Sequence, residues 1–353
     1  MPRKAAQKPK DKVKVPKRDS ITIGNICVKA GERSTIDLPI ARLYTHTEMN
    51  LPVHVVHGKK EGPVLFVCAA IHGDEINGVE IVRRLLKLKL LNNLRGTLIA
   101  IPIVNVYGFI TRSRYLPDRR DLNRSFPGSY SGSLASYLAR LFLDEIVAKC
   151  THGIDIHSGS NHRNNLPQVR ATIEDPEVER MANAFGAPVI VNARLRDNSL
   201  REAVIAMGIP MLVFEGGESL RFNEHAITVG LKGVISVMRE LGMVPRKARK
   251  KAPHSVVVKA TSWVRANKSG IIHSAVPLGS VVKKNQVIAC IIDPIGDNEE
   301  KLLAPYEGIV IGCLNLPLVH KGDAIFLFAS AESRQELEEI SDMVLAENPI
   351  NAE

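Results

Sequence analysis

Val64-Leu-Phe-Val-Cys-Ala-Ala-Ile-His-Gly-Asp-Glu-Ile-Asn-Gly-Val-Glu80 holds the change of pattern that decides the fold. Its first seven residues form an uninterrupted apolar run, the kind buried on both faces of a sheet. From residue 77 to 89 the apolar spacing turns helical, with Val79, Val82, Leu85 and Leu86 on one side and Arg83, Arg84 and Lys87 elsewhere. Working outward, 97–104, 153–157, 189–191 and 211–214 read as strands. Segments 135–148, 176–185, 200–207 and 226–241 read as helices. This alternation, from residue 53 to about 242, predicts an α/β mixed sheet flanked by helices.

The style differs at both ends. Residues 1–20 form a basic tail, expected to be disordered, and 21–38 alternate like strands. A proline-flanked basic stretch at 245–254 reads as a linker between a catalytic unit (21–244) and a smaller β unit (255–332). The smaller unit contains an internal echo. Gly270-Ile-Ile followed by Val282-Lys-Lys-Asn-Gln-Val-Ile returns as Gly308-Ile-Val followed by Val319-His-Lys-Gly-Asp-Ala-Ile. Two similar β units predict a small sandwich or barrel with approximate twofold symmetry. Residues 333–353 turn helical and end in a tail.

A formal charge of +10 suggests nucleic acid until it is located. Residues 1–18 hold eight Lys and Arg against one Asp, and Arg246, Lys247, Arg249, Lys250 and Lys251 add five more. The rest of the chain is close to neutral, so the basicity belongs to segments expected to be solvated. Aromatic residues are only 5% of the chain, which disfavours a base-stacking surface. Nucleic acid and membrane are not expected partners, since no apolar run approaches the length of a membrane span. The five cysteines are scattered without a Cys-x-x-Cys pair, as in a reduced cytoplasmic protein, and no apolar signal core follows the basic start.

Four motifs carry chemistry. His72 and Glu75 stand where the first strand meets its helix, the sheet edge at which open α/β folds bind ligands. An imidazole and a carboxylate at this spacing can reach one ion. Gly153-Ile-Asp-Ile-His-Ser-Gly ends a strand in His157, a third ligand candidate, with Asp155 on the same face as a partner for a metal-bound group. Arg114-Tyr-Leu-Pro-Asp-Arg-Arg-Asp-Leu-Asn-Arg crowds arginines into one loop, suited to bidentate capture of a carboxylate. Met211-Leu-Val-Phe-Glu-Gly-Gly-Glu places Glu215 after an apolar strand, where a carboxylate can serve as general acid and base; Glu218 lies further into the loop.

Taken together, His72-Gly-Asp-Glu75, Asp121-Leu-Asn-Arg124, Asp155-Ile-His157 and Glu215-Gly-Gly resemble, in order and spacing, the succinylglutamate desuccinylase/aspartoacylase family of zinc carboxypeptidase-like enzymes. The likeness spans roughly residues 50–240 and is nearest the bacterial deacylase branch. It implies one zinc ion per chain on His72, Glu75 and His157, with Glu215 as general acid/base. It implies Asn123 and Arg124 as the grip on a substrate carboxylate. An upstream arginine is expected at the oxyanion; Arg114 fits best, with Arg112, Arg119 and Arg120 as competitors. Residues 255–332 resemble a lipoyl/biotinyl-type barrel-sandwich, but the turn Asp293-Pro-Ile-Gly-Asp-Asn lacks the lysine of a carrier. The implied activity is deacylation of a small carboxylate-bearing N-acyl amino acid. The rivals are a zinc carboxypeptidase acting on short peptides, a silent binding module and a basic-tail RNA binder. A homo-oligomer is left open.

Overall fold

A computed structural model of the chain describes residues 18–246, 255–258, 260–296 and 298–347. Most of the expected tail (1–17), most of the linker and the last six residues lie outside that set. Arg18, grouped with the tail in the sequence, behaves otherwise. Its guanidinium is buried and donates to the carbonyls of Gly58 and Gly96 at 3.2 and 2.7 Å, and to Thr97 Oγ1 at 3.0 Å.

Among the described residues thirteen strands form one mixed sheet. Its middle is Arg95–Ile101, Lys60–Ala69, His152–Gly159 and Met211–Glu218, mutually parallel and in that spatial order. These strands are nearly all apolar because both faces are covered. Phe66, Cys68 and Ile99 pack on one side with the helix Leu134–Glu145. Leu65, Val67, Ile156 and Phe214 pack on the other with the helices Asn77–Leu86, Pro176–Phe185 and Glu224–Glu240. The first of these helices stops at Leu86, three residues short of expectation, and residues 89–93 continue as a 3-10 turn. Antiparallel strands Glu48–His57 and Arg33–Arg42 extend one edge.

On the other flank lies Arg163–Ala171, a strand that sequence patterning did not single out. It runs antiparallel to Met211–Glu218, and beyond it the sheet continues without interruption into the C-terminal part. Strands Gly308–Leu314, Ala324–Ser330 and Ala260–Arg265 follow in turn. The two β regions are therefore not joined by a linker alone.

A separate four-stranded sheet, Glu299–Leu303, Val287–Ile292, Gly270–Ser274 and Leu318–Val319, packs against this end around Ile288, Ile291, Val310, Phe326 and Phe328. The internal echo reappears as crossed pairing. Val282 of the first copy pairs with Gly308 of the second, and Val319 of the second pairs with Gly270 of the first. Among the described residues no helix is long and apolar enough to cross a membrane.

Candidate active site

The parallel strands deliver their carboxyl ends to one place. Past Ala69 the chain leaves its strand through Ala70, held at φ +50°, a left-handed conformation that costs an alanine about 1 kcal/mol. That turn carries His72 to the sheet edge. Gly73 follows against the backbone of Gly108, where an added Cβ would lie 1.9 Å from the Gly108 carbonyl carbon, so no side chain fits. Glu75 precedes the helix and folds its carboxylate back between two rings. Its Oε1 lies 2.6 Å from His72 Nδ1 and its Oε2 lies 2.9 Å from His157 Nδ1. The amide of Ser158 also donates to Oε2, at 2.9 Å. His72, Glu75 and His157 are 3%, 2% and 4% exposed, and one ligand atom from each lies within 4.8 Å of the other two. Burial opposes the Glu75 charge, yet the two imidazoles hold its carboxyl well below the usual carboxylate range.

Each imidazole is anchored at its far nitrogen. His157 Nε2 lies 2.7 Å from Asp155 Oδ2, two residues back on the same face, and the buried thiol of Cys68 donates to Asp155 Oδ1 at 3.4 Å. Burial first, and then Asp155, pushes that thiol well above its ordinary pKa. His72 Nε2 lies 3.2 Å from Asp121 Oδ1. The other oxygen of Asp121 accepts from Arg114 Nη2 at 2.8 Å, and Arg114 Nη1 reaches Ser160 Oγ at 2.8 Å and Glu75 Oε1 at 3.4 Å. Desolvation works against the Asp121 carboxylate, but His72 and Arg114 keep its pKa far below normal.

The triad opens onto a cleft of about 540 Å³. Glu215 lies within the strand Met211–Glu218, in register with His157 on the next strand, just before a break in the ladder. One of its oxygens accepts from Asn165 Nδ2 at 2.8 Å, and the other lies 3.4 Å from Arg170 Nε. Asn123 lines the cleft while its side-chain oxygen accepts from the Leu200 amide at 2.9 Å, at the start of the helix Leu200–Ala206. Arg124 lines it too, bracing on the Asn123 carbonyl. Of the four competing arginines of this loop, Arg114 alone lines the cleft.

The family model of the succinylglutamate desuccinylase/aspartoacylase catalytic domain matches residues 61–241. The chain belongs to this family. It is similar to the N-alpha-acetyl-L-2,4-diaminobutyric acid deacetylase of Halomonas elongata, at 26% identity over 292 residues, covering 79% of this chain and 85% of the relative. Among solved structures, the product-bound ectoine utilization protein EutE (DoeB) from Ruegeria pomeroyi superposes with a TM-score of 0.78 at 22% identity. The match covers 90% of this chain and 98% of that one. A succinylglutamate desuccinylase/aspartoacylase from Rhodobacter sphaeroides gives 0.76 at 22% identity, covering 90% and 96%. These two structures share the fold.

Within this member of the family, sequence reasoning left several residues at or beside the cleft without a role. Asp121 stood in a quoted motif, but nothing local tied it to His72, 49 residues away. Asn165 and Arg170 sit on the strand that was not foreseen. Arg196 and Arg201 come from the segment around the helix Leu200–Ala206. Arg201 is 6% exposed, donates through Nη2 to the carbonyls of Ala193 and Arg194, and among the described residues leaves Nη1 buried without a partner. Burial, together with Arg170 and Arg196, pushes its pKa down to about 10. Arg221 is largely exposed beside Glu218 and does not line the cleft, whereas Arg163 and Arg170 do.

Proposed function

We propose that this protein is a zinc-dependent deacylase hydrolysing the linear amide of a small, carboxylate-bearing N-acyl amino acid. The carrying observation is the buried donor set of His72, Glu75 and His157 beside a cleft that also holds the Glu215 carboxylate. The donors suit the ion: two imidazole nitrogens converge on one carboxylate, and Asp155 and Asp121 occupy the opposite ring nitrogens, as outer partners of metal-binding histidines do. Two nitrogens and a carboxylate match the three-ligand sets of catalytic zinc. Bound there, one per chain, zinc would supply a Lewis acid for the acyl carbonyl and a water whose pKa falls toward about 7.

The protein's own groups then complete the chemistry. Water adds across the amide: its oxygen bonds to the acyl carbon, the C–N bond breaks, and the products are a carboxylic acid and an amine. Glu215, steadied by Asn165, takes a proton from the attacking water and returns it to the departing nitrogen. Arg114, held in line by Asp121 and Ser160, faces the charge developing on the carbonyl oxygen, a contribution of roughly 3–4 kcal/mol for a well-placed donor. Asn123 and Arg124 take the substrate carboxylate and fix the scissile bond. Family membership and the name of the Halomonas relative support deacylation over peptide cleavage.

The same proposal treats residues 21–244 as the catalytic unit and 255–332 as a lipoyl/biotinyl-like barrel-sandwich, a reading supported by the crossed Val282–Gly308 and Val319–Gly270 pairs. It places the enzyme in the cytoplasm, in keeping with five unpaired cysteines. The test is metal analysis of the purified chain followed by a panel of N-acyl amino acids with short peptides as controls. Stoichiometric zinc and release of an amine from acyl amino acids are expected. A zinc-loaded protein that cleaves only peptides, or cleaves nothing in either class, overturns the proposal.

A further inference from the structure

A second cavity, of about 720 Å³, lies at the opposite ends of the parallel strands. Lys60 and Arg95, the first residues of the strands Lys60–Ala69 and Arg95–Ile101, line it, whereas the turn after Ala69 carries His72. A strand of this length spans about 30 Å, so the cavity and the cleft are separate places. Five cations line the cavity, Arg33, Lys59, Lys60, Arg95 and Arg246, against one acid, Glu32. Among the described residues only Arg246 of the five has a carboxylate as near as 4.0 Å, that of Glu240. Glu32 turns its own carboxylate to the Lys29 amide, at 3.1 Å. The apolar floor is already covered, with Leu91, Leu94 and Met243 buried. What this cavity presents to a partner is positive charge.

Both basic stretches of the sequence reach this cavity. Arg246, where the second stretch begins, lines it. Arg18, where the first stretch ends, is buried against the carbonyl of Gly58, which lines it too. Arg18 has the Glu61 carboxylate at 3.4 Å and acts as an anchor, leaving the charge beyond it unmatched. Residues 1–17, with seven Lys and Arg against Asp11, are therefore joined to the protein beside a cavity of the same sign. Like charges gathered in this way repel one another and draw in an anionic partner. The composition of the chain disfavours nucleic acid; the place where its charge converges does not.

We propose that the cations of this cavity and the basic segment 1–17 form one docking surface for the phosphate backbone of duplex nucleic acid, independent of the catalytic cleft. A duplex carries one negative charge per about 1.7 Å of its axis, an array dense enough to meet such a surface. Backbone contact needs no base stacking, in keeping with a cavity that no Phe, Tyr or Trp lines. A bilayer fits less well. Residues 1–17 contain no Leu, Ile, Phe, Tyr or Trp to insert, and the folded cations ring a hollow that a flat lipid surface does not enter. An acidic protein would find little exposed apolar area at the centre, where stable protein interfaces concentrate theirs.

The experiment follows a labelled DNA duplex of mixed sequence, about two helical turns long, by fluorescence anisotropy with the full-length protein at roughly 50–200 mM salt. The expected plot of log Kobs against log salt has a slope of about −5, the mark of roughly six phosphate contacts. The variant Lys59→Gln, Lys60→Gln, Arg95→Gln changes three exposed positions. It should bind about tenfold or more weakly, with a slope shallower by about 3. Lys8→Gln, Lys10→Gln, Lys12→Gln, Lys14→Gln should weaken binding in the same direction. The charge-conserving variant Lys59→Arg, Lys60→Arg, Arg95→Lys should bind as the wild type does, which separates lost charge from lost fold. A slope shallower than about −2 overturns the surface. So does wild-type binding by the first variant, or loss of binding by the charge-conserving one. Tighter binding to phosphatidylglycerol vesicles, or displacement of the duplex by poly-L-aspartate at equal charge concentration, overturns the nucleic-acid assignment.

Discussion

Glu215 is the register partner of His157 on the adjacent parallel strand, so the proposed base and a proposed metal ligand leave the sheet side by side. Their separation is set by the sheet's own strand spacing, and neither depends on a flexible loop for its position. Glu215→Gln should therefore bind zinc as the wild type does while kcat falls by roughly 10²–10⁴. Metal content and steady-state turnover on the same preparation check this; near-normal turnover would remove Glu215 from the mechanism.

Asp155 holds the ring of His157 by the nitrogen that faces away from Glu75. Asp155→Asn should weaken zinc binding about 10–100-fold, because the imidazole loses its anionic partner and its fixed orientation. Competition against a chromogenic chelator measures it, and unchanged affinity would show that the ring is held by other contacts.

Gly73 has no room for a side chain against Gly108. Gly73→Ala should lower stability by about 1–3 kcal/mol through overpacking and displace the turn that presents His72. Thermal unfolding of the metal-free protein isolates the first effect. An unshifted midpoint would mean that the two segments separate at no cost.

Glu80 opens the helix Asn77–Leu86 and takes hydrogen bonds from Arg83 Nε at 2.5 Å and Arg84 Nε at 2.7 Å. Those bonds, against some desolvation, lower its pKa to about 2. A carboxyl depressed in the folded state contributes stability that is complete above its unfolded pKa of about 4.3 and fades as pH falls toward the folded value. With both guanidinium groups partly in solvent, the contribution is about 1 kcal/mol. Glu80→Gln should therefore destabilise the protein by that amount at pH 7 and approach the wild type near pH 2–3. Urea unfolding across that range would expose a pH-independent difference if the pairing is irrelevant.

The parts of the fold that were legible in the sequence are those whose two faces are both apolar. Residues 64–70 and 211–214 are apolar runs of strand length, too short for a typical buried helix, and the polar residues that end them mark the sheet edge. The strand Arg163–Ala171 was illegible for the opposite reason. Asn165 and Arg170 turn polar groups to the cleft and Pro167 removes a backbone donor, so the segment has the composition of a loop. The proposed ligands His72, Glu75 and His157 could be grouped from motif order, whereas the link from Asp121 to both His72 and Arg114 exists only once the loop has folded over them. The internal echo was legible because its Gly and Val positions recur, but the exchange of partners between the two copies is a property of the closed structure.

Asn165 steadies Glu215 through its side chain, and its backbone pairs with Gly312 of the C-terminal region, where the missing Cβ leaves space for the Asn165 amide oxygen. A region that supplies no proposed reacting atom is thus mechanically continuous with the proposed acid–base group, like the far jaw of a vice. Nearly 150 residues of chain separate Asn165 from Gly312, so this brace is one of the last features a growing polypeptide can complete. A ribosome-bound chain that already contains every proposed catalytic side chain would still lack the support that holds Glu215 to its task.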